Sequence, residues 1–298
     1  MVSDCPRTSA FHAAIHEAVK PGDIVMDVGT GTGILAMFAA QAGAKKVYAI
    51  DATRISETAT ELVQANGMSD RIEVIHGRAD ELQLDSKVDL IISEWLGHAA
   101  FTESMLPAVL GARDLNLASS GRMLPSNVRL LIAPMDDPIL YNGEGPGFWR
   151  ERVHGLDFSS LQEAELMQAR AAQVKIEPAA LLAPGQEIVG LDMVSASVED
   201  VEFKGQLKFV PNRDGVLNGF CLWFELQLSP SVILDTGPHS SETHWAQTYL
   251  SFWPRSVRAG EQVEVNVEFT YDPDPAVVLN CVNLRLGVDE NELNFEIE

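Results

Sequence analysis

Short apolar runs alternate with helix-length segments from about residue 24 to residue 133. The runs are rich in Val and Ile, are bounded by Gly and Asp, and predict strands that are separated by helices. This alternation is typical of βα units stacked into a parallel sheet with helices on both faces. The runs that predict strands are IVMDVG, KVYAID, RIEVIHG and VDLIISE. In such a fold, ligands bind at the carboxyl ends of the strands.

The pattern changes after about Leu124, where strand-like runs such as NVRLLIAP, GFCLWFELQL, QTYLSFW and EQVEVNVEFTY dominate. Turns rich in Pro and Gly separate these runs, which is typical of a barrel or sandwich. We therefore expect an α/β chain with a doubly wound sheet domain over residues 1–125. A mostly β, barrel-like domain is expected over residues 126–298.

A helical insertion is predicted within the β domain, at about residues 157–182. The segment SSLQEAELMQARAAQVKI at residues 159–176 has helix character. Ser160 is its candidate amino-terminal cap, with Glu163 three residues later, as in a capping box.

The composition is that of an ordinary soluble globular protein, with 46% hydrophobic and 21% charged residues. No apolar run approaches the roughly 18 residues of a membrane span, and the amino terminus has no apolar core behind a basic start. A cytoplasmic protein is therefore expected. Cys5, Cys221 and Cys281 are far apart and odd in number, so we expect reduced thiols and no metal site.

The net charge of -22 comes from 43 acidic and 21 basic residues. Such a surface repels a phosphate backbone and attracts cationic partners, so direct binding to nucleic acid is not expected. Solubility alone explains the charge equally well, and the charge does not decide the function.

A glycine loop, DVGTGTG, extends from Asp27 to Gly33 between the first strand and the first helix. Glycines allow a close approach of backbone to ligand, and the helix amino terminus favours anionic groups. The dinucleotide fingerprint G-x-G-x-x-G fails because Ile34 stands at its last position. Asp51 ends the second strand, where it can accept hydrogen bonds from ribose hydroxyls. A tight turn without a ligand is the alternative interpretation.

Asp80 lies in GRADEL, after the third strand, where its carboxylate could accept a hydrogen bond from an exocyclic amine. An exposed loop acid is the more common explanation of such a residue.

Two carboxylates follow the apolar strand VDLIIS in the stretch SEWLGHAAFTESM. We expect Glu94 at the end of the strand and Glu103 at the start of the helix ESMLPAVLGARD, so that a hairpin-like loop turns both side chains inward. Alternatively, Glu103 complements a helix dipole and Glu94 is a solvated strand end.

Together these motifs resemble the protein arginine N-methyltransferase family. VMDVGTGTGILAMFAAQAGAKKVYAID is similar to the S-adenosylmethionine motif of class I methyltransferases, SEWLGHAAFTESML to the family's double-glutamate loop, and THW to its Thr-His-Trp loop. The motifs occur in the family's order. The resemblance implies a β barrel, a homodimer formed through the helical arm, and methyl transfer from S-adenosylmethionine to a guanidino nitrogen.

The resemblance also implies roles for individual residues around the cofactor. Arg7 would bind the carboxylate of the cofactor, Asp51 its ribose and Asp80 its adenine. The implied cofactor-binding residues are Arg7, Asp27, Gly29, Gly31, Gly33, Asp51, Asp80 and Met105.

The double-glutamate loop would act as a clamp for one guanidinium. With a pKa above about 12 and delocalised lone pairs, a guanidinium is a poor nucleophile. Two carboxylates that accept its N–H groups draw the positive charge away from the attacking nitrogen. The implied catalytic residues are Asp4, Glu94, Glu103 and His244, where His244 pairs with Asp4 and is either a general base or an orienting group. The implied substrate-binding residues are His98, Thr102 and Trp245.

Departures from the family pattern leave alternatives open. The family's amino-terminal helix, with its Tyr-Phe-x-x-Tyr motif, precedes the position of Met1, so we expect part of the lid to be absent from this sequence. Asp51 replaces a more usual glutamate, and His98 and Thr102 replace tyrosines. The favoured substrate is arginine in a protein. The rivals are a bacterial-type enzyme for free arginine or another small guanidine, a non-catalytic scaffold, and an oxidoreductase, which Ile34 disfavours.

Overall fold

The structure is a computed structural model that describes residues 1–143, 145–168, 171–273 and 282–297. Cys5 is an exposed free thiol and Cys221 a buried one, and burial raises the pKa of the Cys221 thiol. The prediction for Cys281 lies outside the described residues. No helix in the described part of the chain has the length and apolar character needed to cross a membrane.

A parallel sheet forms the first domain, as the βα pattern predicts. Its strands are β1 (Ile24–Val28), β2 (Lys46–Asp51), β3 (Ile72–His76), β4 (Val88–Ser93) and β5 (Leu117–Leu124). The helices of this domain are α1 (Cys5–Ala18), α2 (Ile34–Gln41), α3 (Ile55–Ala65) and α4 (Leu106–Asn116). The strand order is β3-β2-β1-β4-β5, so the order reverses beside β1 and opens a crevice at the carboxyl ends of β1 and β4.

Two antiparallel sheets form the second domain and confirm the predicted barrel-like β architecture. Their strands are β6 (Asn127–Met135), β7 (Ala171–Val174), β8 (Gln186–Asp192), β9 (Phe203–Phe209), β10 (Gly215–Gln227), β11 (Ile233–Asp235), β12 (Gln247–Val257), β13 (Val263–Tyr271), β14 (Val282–Val288) and β15 (Asn291–Ile297). One sheet has the order β7-β12-β10-β6-β8, with β11 beside β10, and the other has the order β15-β14-β13-β9. Alternate residues of β13 are buried, which is the pattern of a strand with one face on a core.

The prediction of a helical insertion over residues 159–176 is wrong for Ala171–Val174, which form strand β7, while Leu161–Met167 are helical. Among the described residues of this segment, the structure has the short helix α6 (Leu161–Met167) and then strand β7. A second short helix, α5 (Pro138–Gly143), and 3-10 turns at Pro146–Arg150, Pro178–Ala180 and Val198–Val201 lie outside the segment. Ser160 occupies the cap position of α6 but its side chain makes no capping hydrogen bond. Residues of β7 pair with β12 instead of continuing α6, so pairing with the barrel outweighs the helical pattern. We call residues 138–168 the arm.

One hydrophobic core continues from the parallel sheet into the barrel. Phe101, from the loop after β4, carries the contact: its ring centroid lies 5.8 Å from that of Trp95 and 6.1 Å from that of Phe269 on β13. Aromatic pairs at such distances pack favourably in tilted and edge-on arrangements. The loop that bears both glutamates is therefore anchored to the two domains at once.

Candidate active site

The glycine loop turns sharply between β1 and α2. Gly29, Gly31 and Gly33 all have positive φ angles, of 71°, 56° and 79°, which other residues rarely adopt. A Cβ atom on Gly29 would lie 2.7 Å from Cε of Met105, whereas one on Gly31 would meet open space. The loop therefore exposes backbone at the start of α2, where a helix amino terminus binds polar or anionic groups.

Asp27 fastens this loop from inside the protein. Its carboxylate is fully buried, and Oδ2 accepts hydrogen bonds from Oγ1 of Thr30 at 2.5 Å and from the backbone N–H of Ala36 at 3.1 Å. Among the described residues, Oδ1 has no partner. Burial raises the pKa of Asp27 to about 6, because a charged carboxylate is poorly solvated there.

Asp27 should make the stability of the protein depend on pH. The pKa of Asp27 is raised from 3.8 to about 6 in the folded protein, so the fold favours the protonated carboxyl. The stability that this group contributes is therefore fully present below pH 3.8 and is lost as the pH rises through 6. We expect this group to contribute about 3 kcal/mol over that interval. Asp27→Asn keeps an oxygen that can accept both hydrogen bonds. Urea unfolding of both proteins between pH 4 and 7 should show a flatter dependence for the variant, and parallel curves would contradict the prediction.

Asp51 lies where the sequence predicts, at the end of β2, and connects that strand to the glycine loop. Its Oδ2 accepts from the backbone N–H of Gly31 at 2.9 Å, and Oδ1 accepts from N–H and Oγ1 of Thr53 at 2.8 and 2.7 Å. Asp80 is half-buried, with Oδ2 2.6 Å from Nη2 of Arg78, while its buried Oδ1 has no partner in the described chain. Both carboxylates therefore keep some capacity to accept hydrogen bonds.

Arg7 is buried on α1 and contacts Glu94, a partner that the sequence did not predict. Its Nε and Nη2 donate to Oε2 of Glu94 at 3.1 and 2.6 Å. Nη1 is buried and has no partner within the described residues. A guanidinium carries donors on two sides, so Arg7 can hold Glu94 with one side and offer Nη1 to a second anion.

Glu94 and Glu103 line one narrow cavity of about 130 Å³, together with His98, His244 and Trp245. The Glu94 side chain is buried rather than solvated, and its Oε1 accepts from the backbone N–H of Leu96 at 3.1 Å. Burial and then the charge of Glu94 raise the pKa of Glu103. The expected approach of the two carboxylates is therefore present in the fold, and a cation in this cavity would relieve their repulsion.

The position of Glu103 relative to the following helix differs from expectation. Helix α4 begins at Leu106 and not at Glu103, so Glu103 lies before the first helical turn. Its backbone follows the turn in which Gly97 and Ala100 exchange hydrogen bonds, where Ala100 has a φ angle of 59°. This turn, rather than the helix, directs Glu103 into the cavity.

Thr102 lies behind the loop, and its contact with substrate stays a prediction. It is buried, and it is not among the residues that line the cavity. Its Oγ1 fills the space in which a Cβ atom on Gly97 would stand. His98, by contrast, lines the cavity, and its contact with substrate also stays a prediction.

His244 and Asp4 form the predicted pair. Nδ1 of His244 lies 2.7 Å from Oδ2 of Asp4, and the backbone N–H of His244 donates to the same oxygen at 2.9 Å. Burial alone would raise the pKa of Asp4, but hydrogen bonds from His244 and Arg7 lower it overall. Asp4 also caps α1, so the pair fastens this helix to the Thr-His-Trp loop.

Trp245 is almost completely buried and supports the double-glutamate loop. Its Nε1 donates to the carbonyl oxygen of Leu96 at 2.7 Å, and its ring packs edge-on against Phe224. Trp245 still lines the cavity, and its stacking on a guanidinium stays a prediction. Gln173, on β7, was missed: its Nε2 donates to the carbonyl oxygens of His244 and Trp245 at 2.8 and 2.9 Å. The helical interpretation of residues 159–176 concealed it.

The sheet order, the glycine loop and the acid at the end of β2 define a class I methyltransferase. Family models agree with this class. Residues 129–280 match the model described as the arginine methyltransferase oligomerization subdomain, and residues 6–112 match that of the ribosomal protein L11 methyltransferase (PrmA).

Individual relatives identify the family within this class. The chain is 34% identical over 319 residues to a probable protein arginine N-methyltransferase 6.1 of Oryza sativa subsp. indica, covering 94% of this chain and 82% of the relative. It is 34% identical to protein arginine N-methyltransferase 6 of Xenopus tropicalis, covering 96% and 87% of the two chains.

Solved structures give the same result for the fold. The Trypanosoma brucei PRMT1 enzyme-prozyme heterotetrameric complex with AdoHcy matches with a TM-score of 0.88 and 31% identity, over 100% of this chain and 96% of that one. A PRMT6-SAH structure matches with a TM-score of 0.79 and 28% identity, over 97% and 98%. The chain belongs to the protein arginine N-methyltransferase family, and its cofactor is S-adenosylmethionine.

Proposed function

We propose that this protein transfers a methyl group from S-adenosylmethionine to a guanidino nitrogen of an arginine residue in a protein. The meeting of Glu94, whose side chain is buried, and half-buried Glu103 in one narrow cavity carries the proposal. A protein acceptor is supported by the names of the relatives, and the net charge of -22 favours basic polypeptides.

The residues present fit S-adenosylmethionine, which supplies an electrophilic methyl group on a sulfonium sulfur when it is bound. Three buried polar atoms without partners among the described residues support this fit: Nη1 of Arg7, Oδ1 of Asp27 and Oδ1 of Asp80. Nη1 of Arg7 would bind the carboxylate of the cofactor, and Oδ1 of Asp80 the exocyclic amine. Asp51 would hold the ribose hydroxyls through the remaining acceptor site of Oδ2, while Gly29, Gly31 and Gly33 give access to the backbone.

Glu94 and Glu103 would hold the substrate guanidinium by accepting its N–H groups from two sides. Each carboxylate draws the delocalised positive charge toward itself, which leaves more electron density on the nitrogen that faces the methyl donor. The arrangement also fixes the orientation of the attacking nitrogen, because the fork has only one geometry that satisfies both acids. Arg7 keeps Glu94 in position during this step.

His244 is the candidate acceptor for the proton that the guanidinium loses. Its Nδ1 faces Asp4, so Nε2 is the ring nitrogen left for a substrate or a water molecule. The same pair orients α1, which carries Arg7, and it therefore acts on cofactor and substrate together.

A homodimer formed through the arm is the second part of the proposal. The arm exposes several large apolar side chains, which a partner would cover. The matched subdomain model, described as an oligomerization subdomain, includes the whole arm. The exposed apolar residues of the arm are Ile139, Phe148, Leu156, Leu161 and Met167.

Labelled S-adenosylmethionine tests the substrate class directly. The protein should label an arginine-rich peptide, and mass spectrometry should place the methyl groups on guanidino nitrogens. A matched peptide with Lys in place of Arg should stay unlabelled, because a lysine ammonium cannot span two carboxylates as a fork does. Labelling of free arginine alone would contradict the protein substrate, and labelling of neither would contradict the activity.

A further inference from the structure

A second, larger cavity adjoins the catalytic one. Its volume is about 550 Å³, compared with about 130 Å³ for the cavity that contains the two glutamates. His98 and Gln173 line both cavities, so the two spaces share a wall. We call this space the edge-strand cavity, and the residues of its wall that matter below are His98, Gln168, Gln173, Thr248, Asn294 and Glu296. The volume of this cavity exceeds that of one arginine side chain, so the cavity can hold further residues of the substrate polypeptide.

The edge-strand cavity lies between the edges of two sheets. Strand β7 is the last strand of its sheet and β15 is the last strand of the other, and both contribute to the wall. The two strands contact each other without being paired. The outer edge of such a strand carries backbone donors and acceptors that can bind an extended peptide.

Polar side chains around the cavity also suit a peptide backbone. Gln168 and Asn294 each offer an amide that can donate and accept. Thr248, on β12 under β7, is only 1% exposed, yet its Oγ1 has no hydrogen-bond partner in the described part of the chain. A buried hydroxyl is usually satisfied, so this atom indicates a ligand that supplies the missing partner.

The acidic wall of the cavity indicates which type of side chain the bound segment would carry. Residues Glu292, Asn294 and Glu296 are the exposed alternate positions of β15, and Glu296 reaches the cavity. A carboxylate at this point favours a lysine or arginine near the target arginine, in a protein whose net charge is already -22.

We propose that the edge-strand cavity binds the extended segment next to the target arginine, with a preference for a basic residue that contacts Glu296. The inference rests on the proposed function and specifies its substrate class. It goes beyond the clamp because it concerns residues that never touch the reacting nitrogen.

The test compares three substrates that each contain one arginine: a peptide with Lys residues on both sides, the same peptide with Ala in place of Lys, and acetyl-arginine amide. Glu296→Gln should raise the KM of the Lys peptide about fivefold, because it removes a partly screened charge pair. The KM values of the other two substrates and all kcat values should stay unchanged. Glu290→Gln is the matched control, since Glu290 is exposed in the turn before β15, outside the cavity.

Thr248→Val provides an independent measurement of backbone binding. It removes the unpartnered hydroxyl with little change of shape, so it should raise the KM of both peptides to the same extent and leave acetyl-arginine amide unaffected. Equal effects of Glu296→Gln and Glu290→Gln, or a Lys preference that survives Glu296→Gln, would overturn the inference while peptide methylation stands. Failure of the wild type to methylate any peptide would overturn the proposed function and the inference together.

Discussion

Replacing Glu94 with Gln should slow methyl transfer strongly and also destabilise the protein, whereas replacing Glu103 with Gln should slow methyl transfer alone. Each substitution deletes one negative charge that faces the guanidinium, and the loss of one such group costs roughly 10²- to 10³-fold in kcat. The two glutamates differ in their surroundings, however. Glu94 is the ion-pair partner of buried Arg7, while Glu103 has a raised pKa because it is buried beside Glu94.

The stability difference follows from the partner that each substitution leaves behind. Glu94→Gln leaves the buried guanidinium of Arg7 without its counter-charge, and breaking a buried pair from one side costs about 3 to 5 kcal/mol. Glu103→Gln instead removes repulsion from Glu94, so it should leave the free energy of unfolding unchanged or slightly higher. Steady-state kinetics and urea unfolding of the same preparations measure both effects.

A control for these two variants is Glu61→Gln, at an exposed position on α3. It should change neither kcat nor the urea midpoint. Full activity of both cavity variants would show that the clamp mechanism is wrong. Wild-type stability of Glu94→Gln would show that the pair of Arg7 and Glu94 does not form as described, even if activity is lost.

Strands that are buried on both faces could be predicted from the sequence, and strands held mainly by pairing could not. The central strands β1 and β4 are mostly apolar runs, each with one aspartate (Asp27 and Asp89), and they lie where the pattern places them. Strand β5 has the sequence LASSGRML, with exposed serines in its middle, so its apolar pattern does not predict a strand. Its pairing with β4 holds it in the strand conformation. Strand β7 lies in a segment whose sequence favours a helix, and its pairing with β12 makes it a strand instead.

Helix α1 shows a local signal that the hydrophobic pattern does not reveal. Asp4 caps the helix by accepting from the backbone N–H of Arg7 at 3.0 Å, and a proline stands in the first turn. Both are strong start signals. Phe11, Ala14 and Ile15 are the buried apolar residues of α1, so its apolar stripe is short and the cap is the clearer signal.

Only the motif residues of the candidate site could be predicted from the sequence. The motifs predict that Glu94, Glu103 and His244 converge, and the cavity contains all three. The ion pair of Arg7 with Glu94 joins residues 87 positions apart, and Gln173 reaches the Thr-His-Trp loop from β7, the edge strand beside β12. Each contact joins segments that are far apart in the sequence but belong to one domain, and no local sequence pattern encodes such long-range contacts.

Placing a charge at two exposed apolar positions of the arm, Ile139→Asp together with Leu156→Asp, should convert a dimer into monomers. The side chains are 83% and 64% exposed in the single chain, as expected for residues that a partner covers. Burying a large aliphatic side chain contributes about 1.5 to 3 kcal/mol, and an unpaired aspartate in its place adds a desolvation cost. In a two-fold dimer every substitution acts twice, so the combined loss exceeds the affinity of a typical interface.

Point substitutions test the arm more cleanly than a deletion of residues 159–176, because that deletion also removes β7 from its sheet. Sedimentation velocity over a range of concentrations should show monomers for the double variant and dimers for the wild type. Val210→Asp with Ile233→Asp is the control, since these residues are 53% and 59% exposed but lie outside the arm. Unchanged sedimentation of the arm variant would place the subunit interface elsewhere.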